Sequence, residues 1–208
     1  MLNINKQYTL SDGQYYTDII IKKNICLHHT VGGNSLGTFN YWQSTSDHIG
    51  TAYIIDKDGT IYEVFPPKFW AHHLGTKLTN NTLYNKQSIG IEIVSEGVLK
   101  TGNQLNVELG IEKFDPVYLY AFDITVKPFK NAKKLYHMFT ESNKYIDCGL
   151  NFRDYMFYDK YEPLQVSSCI NLVKYLCELF SIPKQVIPFS DKFSYVPQIL
   201  DTFSGIYT

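Results

Sequence analysis

The sequence lacks the features that would place a protein in several broad functional classes. Its 208 residues include 19 Lys and Arg against 20 Asp and Glu, so no basic surplus draws the chain onto nucleic acid or an anionic membrane. No apolar run approaches the roughly 20 residues of a membrane helix, and the first residues show no secretory signal. We therefore expect synthesis in the cytoplasm, no membrane span and no nucleic-acid partner.

Cysteine is also scarce. The chain has four cysteines, at positions 26, 148, 169 and 177, and none belongs to a C-x-x-C pair. This spacing is typical of reduced thiols rather than of a disulfide framework.

Apolar residues, by contrast, make up 44% of the chain and aromatic residues 15%. A chain of this length can bury one substantial core and is short for two ordinary domains. We therefore predict a single domain over residues 1–208. Strands that alternate with helices predict an α/β fold, with a mixed central β-sheet flanked by helices.

Hydrophobic patterns predict a hairpin and a central strand. Residues 51–55 and 60–64 are apolar segments on either side of a turn that ends in Gly59, which is typical of a hairpin. Residues 88–94 are nearly all apolar, as expected for a strand covered on both faces. Glu92 lies inside this run, and a carboxylate there requires an explanation.

The remaining elements are predicted with the same rules. Residues 163–180 carry apolar side chains at three- and four-residue steps, which indicates an amphipathic helix. Residues 18–27 are predicted to form one or two strands, and residues 203–208 look like the start of another. Residues 95–162 have little regular pattern, and we expect an irregular insertion of loops and short strands.

Two adjacent histidines end the first predicted strand, just before Gly32 and Gly33. Side chains alternate across a strand, so only one of His28 and His29 can face a given side. Neutral imidazole is a good zinc ligand, and a catalytic zinc usually takes three protein ligands. On its own, a histidine at a strand end is more often structural.

Four motifs together resemble the zinc-dependent N-acetylmuramoyl-L-alanine amidases, a family that includes peptidoglycan recognition proteins and phage endolysins. They are HHT at 28–30, the hairpin at 51–64, WAHHLG at 70–75 and NKQSIGIE at 85–92. The similarity covers residues 24–94, resumes at 161–183 and is thin in the insertion. It implies the fold of that family, a Zn²⁺ cofactor, and peptidoglycan, both glycan strand and stem peptide, as the partner.

The resemblance also implies roles for individual residues. His28 matches the first zinc ligand, and Glu92 matches an acid that recycling-type amidases place beside the metal. A carboxyl group there could take a proton from water and pass it to the leaving amine. A glutamate that only fixes a neighbouring loop is the alternative. Contacts with the substrate are expected from His73, Trp70, Asn85 and Thr30.

The implied reaction is hydrolysis of the amide bond between N-acetylmuramic acid and the L-alanine of the stem peptide. Zinc would polarise the carbonyl group and lower the pKa of a bound water toward about 7. Such a protein would act on the bacterial cell wall in phage lysis, from a virion or as a delivered effector, with possible contacts to other phage components.

The family takes its second and third zinc ligands from the strand and loop after the long helix. The corresponding segment here is FSGIYT at 203–208. We therefore expect the domain to lack its last ligand segment, with a histidine directly after Thr208 and an aspartate or cysteine about ten residues on. His137 and Cys148 have a similar spacing but precede the helix.

Two other functions fit the sequence. Residues 33–37 read G-N-S-L-G, which matches the nucleophile elbow of a serine hydrolase with Ser35 as nucleophile. No aspartate and histidine partners are placed for it. A module that binds peptidoglycan without cleaving it is the second alternative, because binding and catalysis depend on different groups.

Overall fold

Two β-sheets organise the part of the chain that this computed structural model describes, residues 2–75, 79–109, 118–122, 136–139, 141–152, 155–187 and 202–208. The helices are α1 (Ser35–Ser44), α2 (Asn81–Gln87), α3 (Gly102–Leu109) and α4 (Pro163–Phe180). The strands are β1 (Ile4–Asn5), β2 (Asn24–His29), β3 (Tyr53–Ile55), β4 (Ile61–Glu63), β5 (Ser88–Ile93), β6 (Val98–Thr101), β7 (Leu119–Phe122), β8 (Tyr136–Phe139), β9 (Tyr145–Phe152), β10 (Tyr155–Asp159) and β11 (Gly205–Tyr207).

The larger sheet has six strands in the order β1-β4-β3-β5-β2-β11. Strands β3, β5, β2 and β11 run parallel to one another, and β4 is antiparallel to β3. The sheet is therefore mixed, and the predicted α/β fold class is confirmed. The predicted central strand is β5, which lies between β3 and β2.

The predicted hairpin is confirmed as β3 and β4. The turn between them closes with a hydrogen bond from the Gly59 N–H to the Asp56 carbonyl, at 2.9 Å. Gly59 has a φ of 86°, a conformation that side chains with a Cβ adopt only with strain.

The predicted long helix is α4, and it covers one face of the sheet. Glu162 and Gln165 form a capping box at its start, and Pro163 occupies its first turn. Its inward side buries a row of apolar residues in the main core: Cys169, Leu172, Leu176 and Cys177. The fully buried Gln165 side chain donates hydrogen bonds to the carbonyls of Ile55 and Val94, which fixes the helix to the ends of β3 and β5.

The insertion is more regular than its sequence predicts. Its described strands form a second sheet in the order β8-β7-β6-β10-β9, with antiparallel pairing throughout. Strands β8 and β9 are the two edge strands of this sheet. His137 lies on β8 and Cys148 on β9, so the two residues are at opposite edges. Because three strands separate these two backbone positions, His137 and Cys148 are too far apart to replace the two missing ligands of one zinc ion, despite their similar spacing.

Two predictions at the ends of the chain have different outcomes. The strand predicted from residue 203 is confirmed as β11, which pairs with β2. The strand predicted from residue 18 begins only at Asn24. The Lys22 amino group is buried and donates to the carbonyls of Phe69 and Lys86, and these bonds hold the preceding segment outside the sheet. Within the described ranges, no helix is both long and apolar enough to cross a membrane.

Candidate active site

The register between β2 and β5 brings the two principal predicted residues together. His28 pairs with Glu92, and Cys26 pairs with Gly90. Paired residues of parallel strands point to the same face, so His28 and Glu92 are neighbours on one side of the sheet. His29 points to the other side, where its ring lies against Gly97.

A third predicted residue, His73, reaches the same place from the loop that follows β4. The backbone N–H groups of His73 and Leu74 donate to the Asn85 side-chain oxygen, at 2.7 and 2.9 Å. Asn85 is fully buried and donates in turn to the Asn81 carbonyl. Asn85 therefore orients the loop that carries His73.

The His73 ring connects the two strands. Its Nδ1 lies 2.9 Å from Nε2 of His28, and its Nε2 lies 3.0 Å from the Ser88 hydroxyl. Gly90 leaves space for the ring, because a Cβ at this position would lie 3.1 Å from His73 Cγ and 2.7 Å from Thr51 Cγ2. A glycine is therefore required at the centre of β5 by the packing of the site.

Burial shifts the protonation of the site toward its neutral forms. Desolvation lowers the pKa of His28 to about 4, with a further contribution from His29, and it lowers the pKa of His73 well below its usual range. Desolvation also raises the pKa of Glu92 to about 8. Among the described residues, no group donates a hydrogen bond to the Glu92 carboxylate to offset this effect.

The donor atoms here are of the types that zinc binds. Cys26, His28 and His73 each offer a ligand atom, and these atoms lie within 4.8 Å of one another. Two nitrogens bound to one tetrahedral zinc at about 2.0–2.1 Å would be about 3.3–3.4 Å apart. The two rings are instead 2.9 Å apart, in hydrogen-bond contact. The residues fit zinc by chemistry, and one ion shared by both rings would replace that hydrogen bond.

The other predicted site residues have structural neighbours. The Trp70 ring is buried and its indole N–H donates to Asp18, at 2.6 Å. The Thr30 hydroxyl lies 2.8 Å from the Gly32 carbonyl and accepts from the Ser95 N–H. Contacts of these residues with a substrate stay predictions.

The Ser35 hydroxyl, at the start of α1, donates to the Asp56 carboxylate. In the described part of the chain, no histidine contacts Ser35, so the partner that a serine nucleophile needs is not found beside it.

Ser88 and Cys26 were not predicted from the sequence. A signal for both exists, because Ser88 lies four residues before Glu92, and Cys26 two residues before His28, at the period of a strand. The contact of Ser88 with His73 has no such signal, since these residues are brought together by a loop.

Comparison with known proteins identifies a family for the chain. The family model described as N-acetylmuramoyl-L-alanine amidase matches residues 19–192. None of the curated proteins matches the sequence significantly.

The chain is also similar to several solved structures. The N-acetylmuramoyl-L-alanine amidase LysC from Clostridium intestinale URNW is 16% identical with a TM-score of 0.42, over 87% of this chain and 78% of that chain. A mutant endolysin from Bacillus subtilis is 24% identical with a TM-score of 0.36, over 45% and 62%. AmiD from E. coli, in complex with a muropeptide substrate, is 14% identical with a TM-score of 0.43, over 81% and 48%.

The family model covers far more than half of the 208 residues, including the strands that carry His28 and Glu92. The chain therefore belongs to the N-acetylmuramoyl-L-alanine amidase family and is an amidase enzyme.

Proposed function

We propose that the protein hydrolyses the amide bond between N-acetylmuramic acid and the L-alanine of the peptidoglycan stem peptide. In this proposal His28 is a zinc ligand and Glu92 carries the proton. The observation that carries it is the pairing of His28 with Glu92 on one face of the central sheet. The place of action that follows is the bacterial cell wall.

The chemistry of Glu92 supports this role. When bound, zinc polarises the scissile carbonyl and makes a water molecule acidic enough to attack at neutral pH. Glu92 would take a proton from the attacking water and give it to the nitrogen of the leaving L-alanine. Burial raises the pKa of the Glu92 carboxyl group to about 8, so this group holds the transferred proton more readily than an exposed carboxyl group does. A cation nearby would favour the carboxylate form and keep enough of the Glu92 side chain ionised to accept a proton.

The two rings of the site have supporting roles. His28 is partly buried and neutral, the state in which imidazole binds a metal. His73 holds the His28 ring in position through their hydrogen bond. Asn85 and Thr30 fix the loops at the edge of the site, and their contacts with the substrate stay predictions.

Purified peptidoglycan sacculi provide the test. The protein with zinc chloride is expected to release new L-alanine N-termini, a chelator is expected to stop the release, and zinc is expected to restore it. Glu92→Gln should lower the rate at least 100-fold, since proton transfer typically contributes about 10²–10⁴. Glu141→Gln, at an exposed position, is the matched control.

A different result would favour the second function. If the protein binds sacculi in a pull-down but releases no L-alanine N-termini with zinc present, hydrolysis is refuted. Peptidoglycan binding without cleavage is then the better description.

A further inference from the structure

Ser88 opens β5, and its buried hydroxyl has two hydrogen-bond neighbours in the site. It lies 2.6 Å from the Tyr84 carbonyl and 3.0 Å from Nε2 of His73. A carbonyl oxygen can only accept, so the single hydroxyl hydrogen is donated to Tyr84. The Ser88 oxygen therefore accepts from His73, and the His73 ring carries its hydrogen on Nε2.

The second step concerns the other nitrogen of the same ring. The partly buried His73 ring hydrogen-bonds to His28 and Ser88, and in the described part of the chain no carboxylate hydrogen-bonds to it, so no partner compensates for a charge and the ring is neutral. With the hydrogen on Nε2, its Nδ1 is a hydrogen-bond acceptor. His28 Nε2, at 2.9 Å, must therefore be the donor.

The third step follows for His28 itself. A neutral ring with its hydrogen on Nε2 has an unprotonated Nδ1. No group among the described residues hydrogen-bonds to this nitrogen, and His28 is only partly buried.

We propose that Ser88 is a positioning residue that sets the tautomer of His28 through His73, so that His28 offers the Nδ1 lone pair to a divalent cation. The identity of the cation rests on the proposed function, whereas the tautomers do not. Hydrogen-bond partners of metal-binding histidines fix their orientation, and their removal typically costs about 10–100-fold in metal affinity.

A competing arrangement uses the same side chains differently. Cys26, His28 and His73 could hold one ion through the two nitrogens that now share a hydrogen. That ion would displace the hydrogen, and His28 would then bind through Nε2. The nitrogen that responds to the metal separates the two arrangements.

Long-range ¹H–¹⁵N NMR of the histidine side chains in the metal-free protein at neutral pH is the direct test. It distinguishes protonated from unprotonated ring nitrogens. We expect hydrogens on Nε2 of both His28 and His73. On addition of zinc chloride, we expect the Nδ1 signal of His28 to change most.

Substitution of Ser88 tests whether this residue sets the tautomers of the two histidines. Ser88→Ala removes the acceptor, so both rings should show a mixture of tautomers and zinc affinity should fall about 10–100-fold. Ser88→Thr keeps a hydroxyl group and should keep the tautomers. Ser167→Ala is the matched control, because the Ser167 hydroxyl also donates to a carbonyl four residues earlier, on the exposed side of α4.

Several outcomes would overturn the proposal. A hydrogen on Nδ1 of His28 in the metal-free protein contradicts it, even if Ser88→Ala fails to fold. Unchanged tautomers in a folded Ser88→Ala protein remove the role of Ser88. A zinc response at Nε2 of His28, or no response at all, refutes Nδ1 as the donor. Because the tautomers are measured without metal or substrate, absence of amidase activity would refute the proposed function and leave this inference intact.

Discussion

Replacement of Glu92 by glutamine is expected to stabilise the metal-free protein while it removes activity. Glu92 is partly buried in the central strand, and desolvation raises its pKa from 4.5 to about 8. Its charged form is therefore less favourable in the folded protein than in the unfolded chain. Glutamine has nearly the same shape, stays neutral and avoids that cost.

The sign and size follow from linkage. A raised pKa means that Glu92 holds its proton more strongly in the folded protein than in the unfolded chain. The free-energy cost of ionising buried Glu92 is therefore absent below about pH 4 and grows as the pH rises. Between 4.5 and about 8, each pKa unit corresponds to about 1.4 kcal/mol. The free energy of unfolding of the wild type should therefore fall relative to Glu92→Gln by about 3 kcal/mol at pH 7 and about 5 kcal/mol at pH 9.

Urea unfolding from pH 4 to pH 9, with a chelator present, measures this difference. The two proteins should have nearly equal unfolding free energies at pH 4 and diverge above pH 5. The control Glu141→Gln, at an exposed position, should follow the wild type throughout. If the Glu92→Gln and wild-type curves stay parallel from pH 5 to pH 9, burial does not raise the Glu92 pKa, and its assignment as the proton carrier loses its support.

Two further substitutions test the packing around His73. Gly90→Ala places a methyl group 2.7 Å from Thr51 Cγ2 and 3.1 Å from His73 Cγ. We therefore expect the free energy of unfolding in urea to fall by about 1–3 kcal/mol and NMR to show a displaced His73 ring. An unchanged free energy of unfolding would show that the packing around Gly90 tolerates the methyl group. Asn85→Ala leaves the His73 and Leu74 N–H groups without their acceptor, so the free energy of unfolding in urea should fall by about 3 kcal/mol. The control Asn3→Ala, at an exposed position, should change this free energy little.

The fold was predictable where a local pattern determines it. The apolar run of β5, the three- and four-residue steps of α4 and the glycine turn of the hairpin each depend on residues close in sequence. The start of β2 was wrong by six residues, because the Lys22 amino group binds carbonyls 47 and 64 residues away. The second sheet was missed for the same reason, since its strand pairing is set by contacts between distant segments.

In the candidate site, too, the features that depend on residues close in sequence were predictable, and those that depend on distant segments were not. Alternation along β2 and β5 predicts that His28 can face a cleft and that Glu92 can lie on one face with Ser88. It does not predict register, and register decides whether His28 and Glu92 meet. His73 lay in a matched motif, yet its partners could not be read from that motif, because the loop that carries it is held by Asn85.

One strand supplies three different requirements of this site at alternate positions. Ser88 provides a hydroxyl that accepts from His73, Gly90 provides the space for that ring, and Glu92 provides the carboxyl group beside His28. A shift of one residue in the register of β5 would turn all three to the opposite face, where α4 packs. The apolar residues that alternate with them, Ile89, Ile91 and Ile93, oppose such a shift because each is buried in the main core on that opposite face. The hydrophobic core therefore fixes the geometry of the polar site.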